Sequence, residues 1–361
     1  MDTTIRSLEV EDLNIPLLEP FGIAGGAQDL ARNLLVTVEL ADGTRGYGEA
    51  APFPAFNGET QELARTAVLT ARTLVEGADA REWRRLAGAL RGAIGPVGSA
   101  QCAIETAVLD ALTRSGGLPL WAFFGGVATT LETDMTITTG SVEQAADAAR
   151  AIRARGIRTI KVKIGSGDLA RDIERVAAIH AAAPDSPLIL DGNCGFSADQ
   201  ALQLLAVLDQ RGIKPALFEQ PVGRDAWEDL RQVTQWGGAP VAADESVGGP
   251  SDALRLVQER AAQVINIKLM KSGVVGALDI AAICRAGHIG LMIGGMVESI
   301  LAMTMSACFA AGQGGIQYVD LDTPMFLAEN PFEGGFRQAG GLLTLDHIRA
   351  GHGVIPKLLW R

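Results

Sequence analysis

The chain has 361 residues, of which 48% are apolar, so it is long enough to bury a large globular core. It contains 31 Lys and Arg residues against 42 Asp and Glu residues, which gives a net charge of −11. This balance disfavours nucleic acid as a partner, because the chain shows no basic stripe to displace the counterions of a phosphate backbone.

The sequence predicts a cytoplasmic protein. Its first residues lack the basic and then apolar pattern of a secretory signal. Its apolar runs are broken well short of the roughly 18 residues that a membrane span requires, so no membrane partner is expected. The four cysteines are scattered without a CxxC pair, which predicts free thiols in a reducing compartment.

The first third of the chain predicts an α+β unit. Leu34–Leu40 is rich in apolar and β-branched residues and precedes the turn Ala41–Thr44, so residues 1 to about 45 are expected to form strands. The segment Glu49–Gly58 contains two prolines and is predicted to be a loop. From about Thr60 to Gly116 the abundance of Ala, Leu, Arg and Glu predicts helices.

From about residue 132 the pattern changes to short apolar strands that alternate with amphipathic helices, which is typical of parallel βαβ units. Eight strands favour an α/β fold with a closed barrel over an open doubly wound sheet, and no GxGxxG motif opens a helix after the first strand. The predicted strands are Met135–Thr138, Thr159–Ile164, Leu188–Leu190, Ala216–Phe218, Val241–Ala243, Val264–Ile267, Gly290–Ile293 and Gln317–Leu321.

Three carboxylates follow adjacent predicted strands, at the ends where barrels of this type have their active sites. They are Asp191, Glu219 and Asp244. Oxygen ligands without His or Cys suit a hard cation such as Mg²⁺. An Asp that precedes a helix is often only an N-cap, but three carboxylates in register on neighbouring strands favour a metal site.

Lysines lie at the same predicted rim. Lys161 and Lys163 are two residues apart in one strand, so their side chains share a face, and Lys268 follows the sixth strand. With a metal between them, Lys163 and Lys268 could flank a substrate on opposite faces, while the cation acidifies the carbon beside a bound carboxylate. Partly desolvated lysines near other cations are expected to have a pKa lowered towards about 7–8 and to act as bases.

These features resemble the enolase superfamily, in its muconate-lactonising branch. The resemblance rests on Lys161-Val162-Lys163, on the three carboxylates and on the segment Asn266–Gly273, and it covers essentially the whole chain. It implies a modified (β/α)7β barrel of the TIM type over residues 131–324. It also implies an N-terminal α+β capping domain over residues 1–130, completed by residues 325–361.

The resemblance also implies roles for the charged residues. Mg²⁺ is expected on Asp191, Glu219 and Asp244, and Lys163 and Lys268 are expected to form the acid/base pair. The seventh strand carries no His, which separates the chain from the mandelate-racemase branch.

After the last predicted strand, Asp320 and Asp322 share one face and need a cation to offset their repulsion. The pair resembles the Asp-x-Asp signature of dipeptide epimerases, where it binds the N-terminal amine of the substrate. This implies a dipeptide whose second α-carbon is inverted between the two lysines. Lys161 is then expected to help hold the substrate carboxylate, and Thr136 and Met296 match positions that contact substrate in the family.

Some assignments stay open. The same branch includes N-acylamino-acid racemases and o-succinylbenzoate synthases, and a non-catalytic binding or structural relative is a third alternative.

The segments Phe21–Gly26 and Phe53–Gly58 are expected to select the substrate side chain. Their aromatic residues favour a hydrophobic side chain, Asp29 leaves a cationic one open, and the absence of a basic residue in the first segment disfavours glutamate. A homo-oligomer is expected.

Overall fold

A computed structural model describes residues 2–23, 26–138 and 140–358 of the chain. The first part is a three-stranded antiparallel sheet of β1 (Ile5–Ile23), β2 (Gly26–Leu40) and β3 (Arg45–Ala50), with β2 in the middle. Strands β2 and β3 are joined by a turn in which Gly43 has a φ of 85°, a conformation that favours glycine. Val36 and Val38 are among the side chains that this sheet buries.

Helices follow this sheet along the chain. They are α1 (Pro54–Asn57), α2 (Gln61–Val75), α3 (Trp83–Ile94), α4 (Gly98–Ser115) and α5 (Leu120–Phe123), and a short strand β4 (Thr130–Glu132) follows them. Helix α4 lies against β3, where Gly46 and Gly48 leave room for it. A Cβ atom at Gly48 would lie 2.0 Å from the carbonyl oxygen of Ala103, so only glycine permits this approach of helix to strand.

Eight parallel strands form the second part, and each pairs with the next along the chain. The backbone N–H of Asp134, just before the first strand, donates to the carbonyl of Val319 in the last strand at 3.0 Å, so the curled sheet brings its two edges together. The strands are β5 (Met135–Ile137), β6 (Ile160–Lys163), β7 (Leu188–Asp191), β8 (Leu217–Glu219), β9 (Val241–Ala243), β10 (Val264–Ile267), β11 (Gly290–Ile293) and β12 (Ile316–Val319).

A helix follows each of the first seven barrel strands. Two of these helices begin with a capping box, at Ser141 and at Ser197, where the serine hydroxyl and a glutamine side chain satisfy backbone N–H groups of the first turn. The helices are α6 (Val142–Ala154), α7 (Leu169–Ala182), α8 (Ala198–Gln210), α9 (Trp227–Trp236), α10 (Pro250–Glu259), α11 (Leu269–Ala286) and α12 (Ile300–Gln313).

The C-terminal segment runs back along the first part of the chain. Its strands are β13 (Phe332–Gly334), β14 (Arg337–Ala339), β15 (Leu342–Thr344) and β16 (Val354–Pro356), and β15 pairs with β4. The backbone N–H of His352 donates to Asp110 of α4 at 2.9 Å. The backbone N–H of Ala328 donates to the carbonyl of Pro16 in β1 at 2.8 Å, so the segment contacts both the antiparallel sheet and its helices.

A buried glutamate joins the antiparallel sheet to the barrel. Glu49 of β3 accepts hydrogen bonds from the backbone N–H and the hydroxyl of Ser299, at the beginning of α12. Asn33 of β2 donates to Glu49 at 2.7 Å and to the carbonyl of Val297 at 2.9 Å. A carboxylate at the N-terminus of a helix also interacts favourably with the helix dipole. These contacts fix the sheet against the mouth of the barrel.

The predicted α/β class, the (β/α)7β barrel and the N-terminal capping unit are confirmed. All eight predicted strands are present, and none of their ends is displaced by more than two residues. The loop predicted over Glu49–Gly58 is wrong in part, because β3 continues to Ala50 and Pro54 begins α1, where its missing N–H costs nothing. The boundary between residues 130 and 131 stays a prediction. Within the described ranges, no helix combines the length and apolarity needed to cross a membrane.

Replacing Gly48 with alanine should destabilise the fold by about 1–3 kcal/mol, because the new methyl group would force α4 away from β3. Gly88 offers a matched control, since it lies exposed inside α3 with nothing near its Cβ position. Gly88→Ala should stabilise by about 0.5–1 kcal/mol. Urea denaturation followed by circular dichroism measures both. Equal effects of the two variants would contradict the proposed packing of α4.

Candidate active site

The register of the barrel strands brings the charged residues to one rim. Lys163 is paired with Asp191 across β6 and β7, and Asp191 is paired with Glu219 across β7 and β8. Because the strands are parallel, their carboxyl ends meet at this rim, where active sites of such barrels lie. Asp191 and Glu219 are the last residues of their strands, and Asp244 follows β9 directly.

Lys161 lies at the centre of the site. Its side chain is 1% exposed, and its Nζ atom lies 3.0 Å from Asp191 Oδ2, 2.8 Å from Glu219 Oε2 and 2.6 Å from Asp320 Oδ2. Burial disfavours its charged form, but the surrounding carboxylates outweigh burial and hold the pKa of Lys161 well above its ordinary value. Lys161 is therefore a permanently charged group between carboxylates from three strands.

One oxygen of each predicted metal-ligating carboxylate is held by a donor other than the three cleft lysines. The backbone N–H of Asn193 donates to Asp191 Oδ1 at 3.1 Å. The Nδ2 atom of Asn266 donates to Glu219 Oε1 at 2.6 Å. In the same way, Asp244 Oδ1 accepts from the ammonium of Lys271 at 2.9 Å, and that ammonium also donates to two backbone carbonyls. Each carboxylate is thus oriented by one of its two oxygens.

The second oxygen of each carboxylate faces a lysine of the cleft. Asp191 Oδ2 lies 2.7 Å from Lys163 Nζ, and Asp244 Oδ2 lies 2.8 Å from Lys268 Nζ. Within the described residues, Glu219 Oε2 and Asp244 Oδ2 accept no well-oriented hydrogen bond although both are buried. Burial and the charge of Asp191 raise the pKa of Glu219 to about 7. These two oxygens are buried acceptors without a well-oriented donor, so the three residues could hold a divalent cation.

A second acidic cluster lies on the other side of Lys161. Asp134, Asp320 and Asp322 each offer an oxygen within 4.8 Å of the other two. Among the described His, Cys, Asp and Glu side chains, this is the group of three whose ligand atoms all lie within 4.8 Å of one another. The oxygens of Asp191, Glu219 and Asp244 are spread more widely around the lysines. The site therefore contains two carboxylate clusters that share Lys161.

The two predicted bases line one cleft of about 400 Å³. Lys163 Nζ donates to Asp191 and to Asn193 Oδ1. The cleft is also lined by Thr136, Lys161, Met296, Asp320 and Asp322, together with Phe53 and Phe56 from the capping unit. All ten residues predicted from the sequence are thus brought to one site, seven in the lining and three in contact with its lysines.

The expectation of a lowered lysine pKa is wrong for Lys268 in this arrangement. Burial favours the neutral amine, but the carboxylates of Asp244 and Glu219 outweigh burial and raise the pKa of Lys268 above its ordinary value. The prediction rested on neighbouring cations, whereas a carboxylate oxygen of Asp244 lies 2.8 Å from Lys268 Nζ. The carboxylates around Lys268 therefore favour its charged form.

The loop around Phe56 covers the cleft beside Lys268. Lys268 Nζ lies 4.7 Å from the centre of the Phe56 ring, a distance typical of a cation–π contact. Arg224 of the barrel donates to the carbonyl of Phe56 at 2.9 Å and so attaches the loop to the barrel. Of the other predicted selecting segment, Phe21–Gly26, residues 24 and 25 and the side chains of Phe21 and Ile23 lie outside what the structure describes.

Three functional candidates were missed in the sequence. Asn266 and Lys271 orient carboxylates from positions near Lys268, inside the segment Asn266–Gly273 on which the family resemblance rests. Asp134 is the third member of the second acidic cluster. The sequence pattern does indicate Asp134, because this residue lies two positions before Thr136 and so points to the same face of the strand.

Comparison with known sequences gives a consistent family. Residues 5–125 match the N-terminal domain of the mandelate racemase / muconate lactonizing enzyme family, and residues 143–358 match the enolase C-terminal domain-like family. An aromatic dipeptide epimerase of Herpetosiphon aurantiacus is 54% identical, over 98% of this chain and 99% of that protein. A hydrophobic dipeptide epimerase of Citrifermentans bemidjiense is 35% identical, over 97% of this chain and 99% of that protein.

A solved structure gives the same picture. The crystal structure of a dipeptide epimerase from Enterococcus faecalis, complexed with Mg and the dipeptide L-Leu-L-Tyr, superposes with a TM-score of 0.94 at 32% identity. The superposition covers 97% of this chain and 99% of that chain. The similarity therefore extends over both parts of the fold.

Proposed function

Because the chain belongs to the mandelate racemase / muconate lactonizing enzyme family of the enolase superfamily, we propose that it is a Mg²⁺-dependent dipeptide epimerase. The reaction would invert the α-carbon of the C-terminal residue of a dipeptide. One observation carries the proposal: Lys163 and Lys268 line the same cleft as the carboxylate pair Asp320 and Asp322. The first pair provides two proton-transfer groups, and the second provides a binding place for a free amine.

The metal proposal rests on the orientation of the carboxylates. The ion would be held by Asp191, Glu219 and Asp244 through the carboxylate oxygens that face the cleft lysines. The other oxygen of each carboxylate accepts a hydrogen bond from Asn193, Asn266 or Lys271, respectively. Mg²⁺ prefers carboxylate oxygens, and when bound it would stabilise negative charge that develops on the substrate carboxylate during proton removal. The charged Lys161 would also help to hold that carboxylate.

The two lysines would divide the proton transfers. Inversion requires a neutral amine that removes the α-proton on one face and an ammonium that delivers a proton on the other. Lys268 is charged beside Asp244, and Lys163 lies against Asp191 and the amide oxygen of Asn193. The roles exchange when the epimer is the substrate, so neither lysine could be spared.

We propose a hydrophobic or aromatic side chain on the inverted residue, with a cationic one as the second choice. Phe53, Phe56 and Met296 line the cleft, and its only cationic lining residues in the described part of the chain are Lys161, Lys163 and Lys268. The names of the relatives from Herpetosiphon aurantiacus and Citrifermentans bemidjiense support the hydrophobic choice. Glutamate is disfavoured, because no further cation lines the cleft to receive its carboxylate.

The other reactions of the branch are the main alternatives. An N-acylamino-acid racemase or an o-succinylbenzoate synthase would use the same lysines, but its substrate brings no free amine to Asp320 and Asp322. A non-catalytic relative would not need two oriented lysines. A homo-oligomer in the cytoplasm stays a prediction.

Incubating the protein with Mg²⁺ and a library of L,L-dipeptides in D₂O should add one deuterium to dipeptides with a hydrophobic C-terminal residue, as measured by mass spectrometry. Deuterium enters because the proton that returns to the α-carbon comes from a lysine in exchange with solvent. N-acylamino acids serve as the comparison. Exchange into N-acylamino acids alone would contradict the epimerase proposal.

Replacing Lys163 or Lys268 with alanine should lower the epimerisation rate by about 10²–10⁴-fold, because each removes one of the two proton-transfer groups. Each variant should still exchange the α-proton of one of the two epimeric dipeptides. Lys163→Ala and Lys268→Ala should act on opposite epimers. Polarimetry and proton NMR in D₂O measure the two processes. Lys214→Ala is the control, since Lys214 has a side chain that is 83% exposed. Full epimerisation by either site variant would rule out the two-base mechanism.

Asn266→Ala should weaken Mg²⁺ binding about tenfold, because Glu219 would lose the donor that orients it. Titration calorimetry of the protein with Mg²⁺ alone measures this without reference to turnover. Asn330→Ala, at an exposed position, should leave the affinity unchanged. An unaltered affinity in Asn266→Ala would argue against Glu219 as a ligand.

A further inference from the structure

Asp134 is a buried carboxyl group that the proposed proton transfers do not use. It is 1% exposed and lies immediately before β5, on the same side of the strand as Thr136. Among the described residues, none makes a well-oriented hydrogen bond to either of its carboxyl oxygens. A buried polar group without a partner is unfavourable, so such a group calls for an explanation.

The neighbours of Asp134 already have other partners. Asp320 Oδ2 accepts from Lys161 at 2.6 Å, and Asp322 Oδ2 accepts from the backbone N–H of Thr136 at 2.7 Å. By comparison, neither oxygen of Asp134 has a well-oriented hydrogen bond, although its carboxyl group faces that of Asp320. One oxygen from each of the three carboxyl groups lies within 4.8 Å of the other two, so all three can face a single small cation.

This upper limit on the spacing is compatible with a primary ammonium group. Such a group has three N–H donors in a tetrahedral arrangement, and three acceptors at about 2.8 Å from its nitrogen lie about 4.6 Å from one another. Two carboxylates can satisfy only two of those donors if each contributes one oxygen. The third donor needs an acceptor, and Asp134 has one in the required range.

The charge of the cluster also calls for a cation. The three carboxyl groups of the cluster face one ammonium group, that of Lys161. This ammonium is shared with Asp191 and Glu219. Burial and the charge of Asp320 raise the pKa of Asp322 to about 7. Burial, followed by repulsion from Asp320 and Asp322, raises the pKa of Asp134 well above its ordinary value. An incoming ammonium would supply the charge that these groups lack.

We propose that Asp134 is the third hydrogen-bond acceptor for the α-ammonium of the dipeptide and makes the site prefer a primary amine over an N-methylated one. The proposal rests on the proposed function, since it takes a dipeptide with a free amine as the ligand. It extends the binding pocket beyond Asp320 and Asp322 and assigns a role to a carboxyl group that is otherwise unpaired.

Titration calorimetry of the Mg²⁺-loaded protein tests this with L-Ala-L-Phe and its N-methyl derivative, which has one N–H fewer. The unaltered protein should bind the N-methyl dipeptide about tenfold more weakly, the loss expected for one charged hydrogen bond. Asp134→Asn should bind L-Ala-L-Phe about tenfold more weakly and discriminate little between the two dipeptides. Asp147→Asn, a variant at an exposed helix position, should retain both affinities of the unaltered protein.

Two further readouts separate a binding role from a structural one. Asp134→Asn should bind Mg²⁺ alone with unchanged affinity, because Asp134 lies on the side of Lys161 away from the proposed ligands. Equal weakening of both dipeptides, weakened Mg²⁺ binding, or equal affinity of the unaltered protein for the two dipeptides would each overturn the proposal. The last comparison needs no variant, so it holds even if Asp134→Asn fails to fold.

The outcome for Asp134 is separable from the outcome for the reaction. Dipeptide binding without deuterium exchange would refute the epimerase reaction, and the comparison of the two dipeptides would still decide the role of Asp134. If neither dipeptide binds the unaltered protein, both proposals are wrong.

Discussion

The buried ammonium of Lys161 is the interaction on which the rest of the site depends. It contacts carboxylates at the ends of three strands, and it is nearly inaccessible to solvent. Removing one partner from such a buried group leaves uncompensated charge and is strongly destabilising. Lys161 therefore stabilises the rim of the barrel, but a single positive charge cannot offset all the carboxylates around it. The carboxylates of Asp191, Glu219 and Asp244 share four lysines, whereas Asp134, Asp320 and Asp322 have Lys161 as their one lysine partner among the ion pairs of the described residues.

This arrangement explains why a strand pattern was enough to find most of the site. Alternation along β6 places Lys161 and Lys163 on one face, and parallel register aligns Lys163, Asp191 and Glu219 at one rim. Both rules are local and are readable in a short stretch of sequence. The same reasoning located all eight barrel strands, because each is a short apolar run next to a helical segment.

The remaining features depend on contacts between distant segments or between single atoms. Asp134 joins its cluster only because the first and last barrel strands meet, and its partners are more than 180 residues away. The raised pKa of Lys268 depends on which oxygen of Asp244 turns towards it, and that orientation is fixed by Lys271. No spacing rule specifies the rotamer of a carboxylate. The sequence therefore predicts which residues meet and leaves open how their atoms are partnered.

The contacts of Glu49 determine how a substrate can enter. A rigid rotation of the capping sheet away from the barrel would break the bonds from Glu49 to Ser299 and from Asn33 to Val297 at the same time. It would also leave donors at the beginning of α12 without an acceptor. The two parts therefore cannot open as a hinge at small energetic cost. Among the described residues, the short segment around Phe56 covers the cleft beside Lys268, and its attachment to the barrel includes one hydrogen bond from Arg224. A loop that covers a cleft in this way can limit product release without any change in the chemical step.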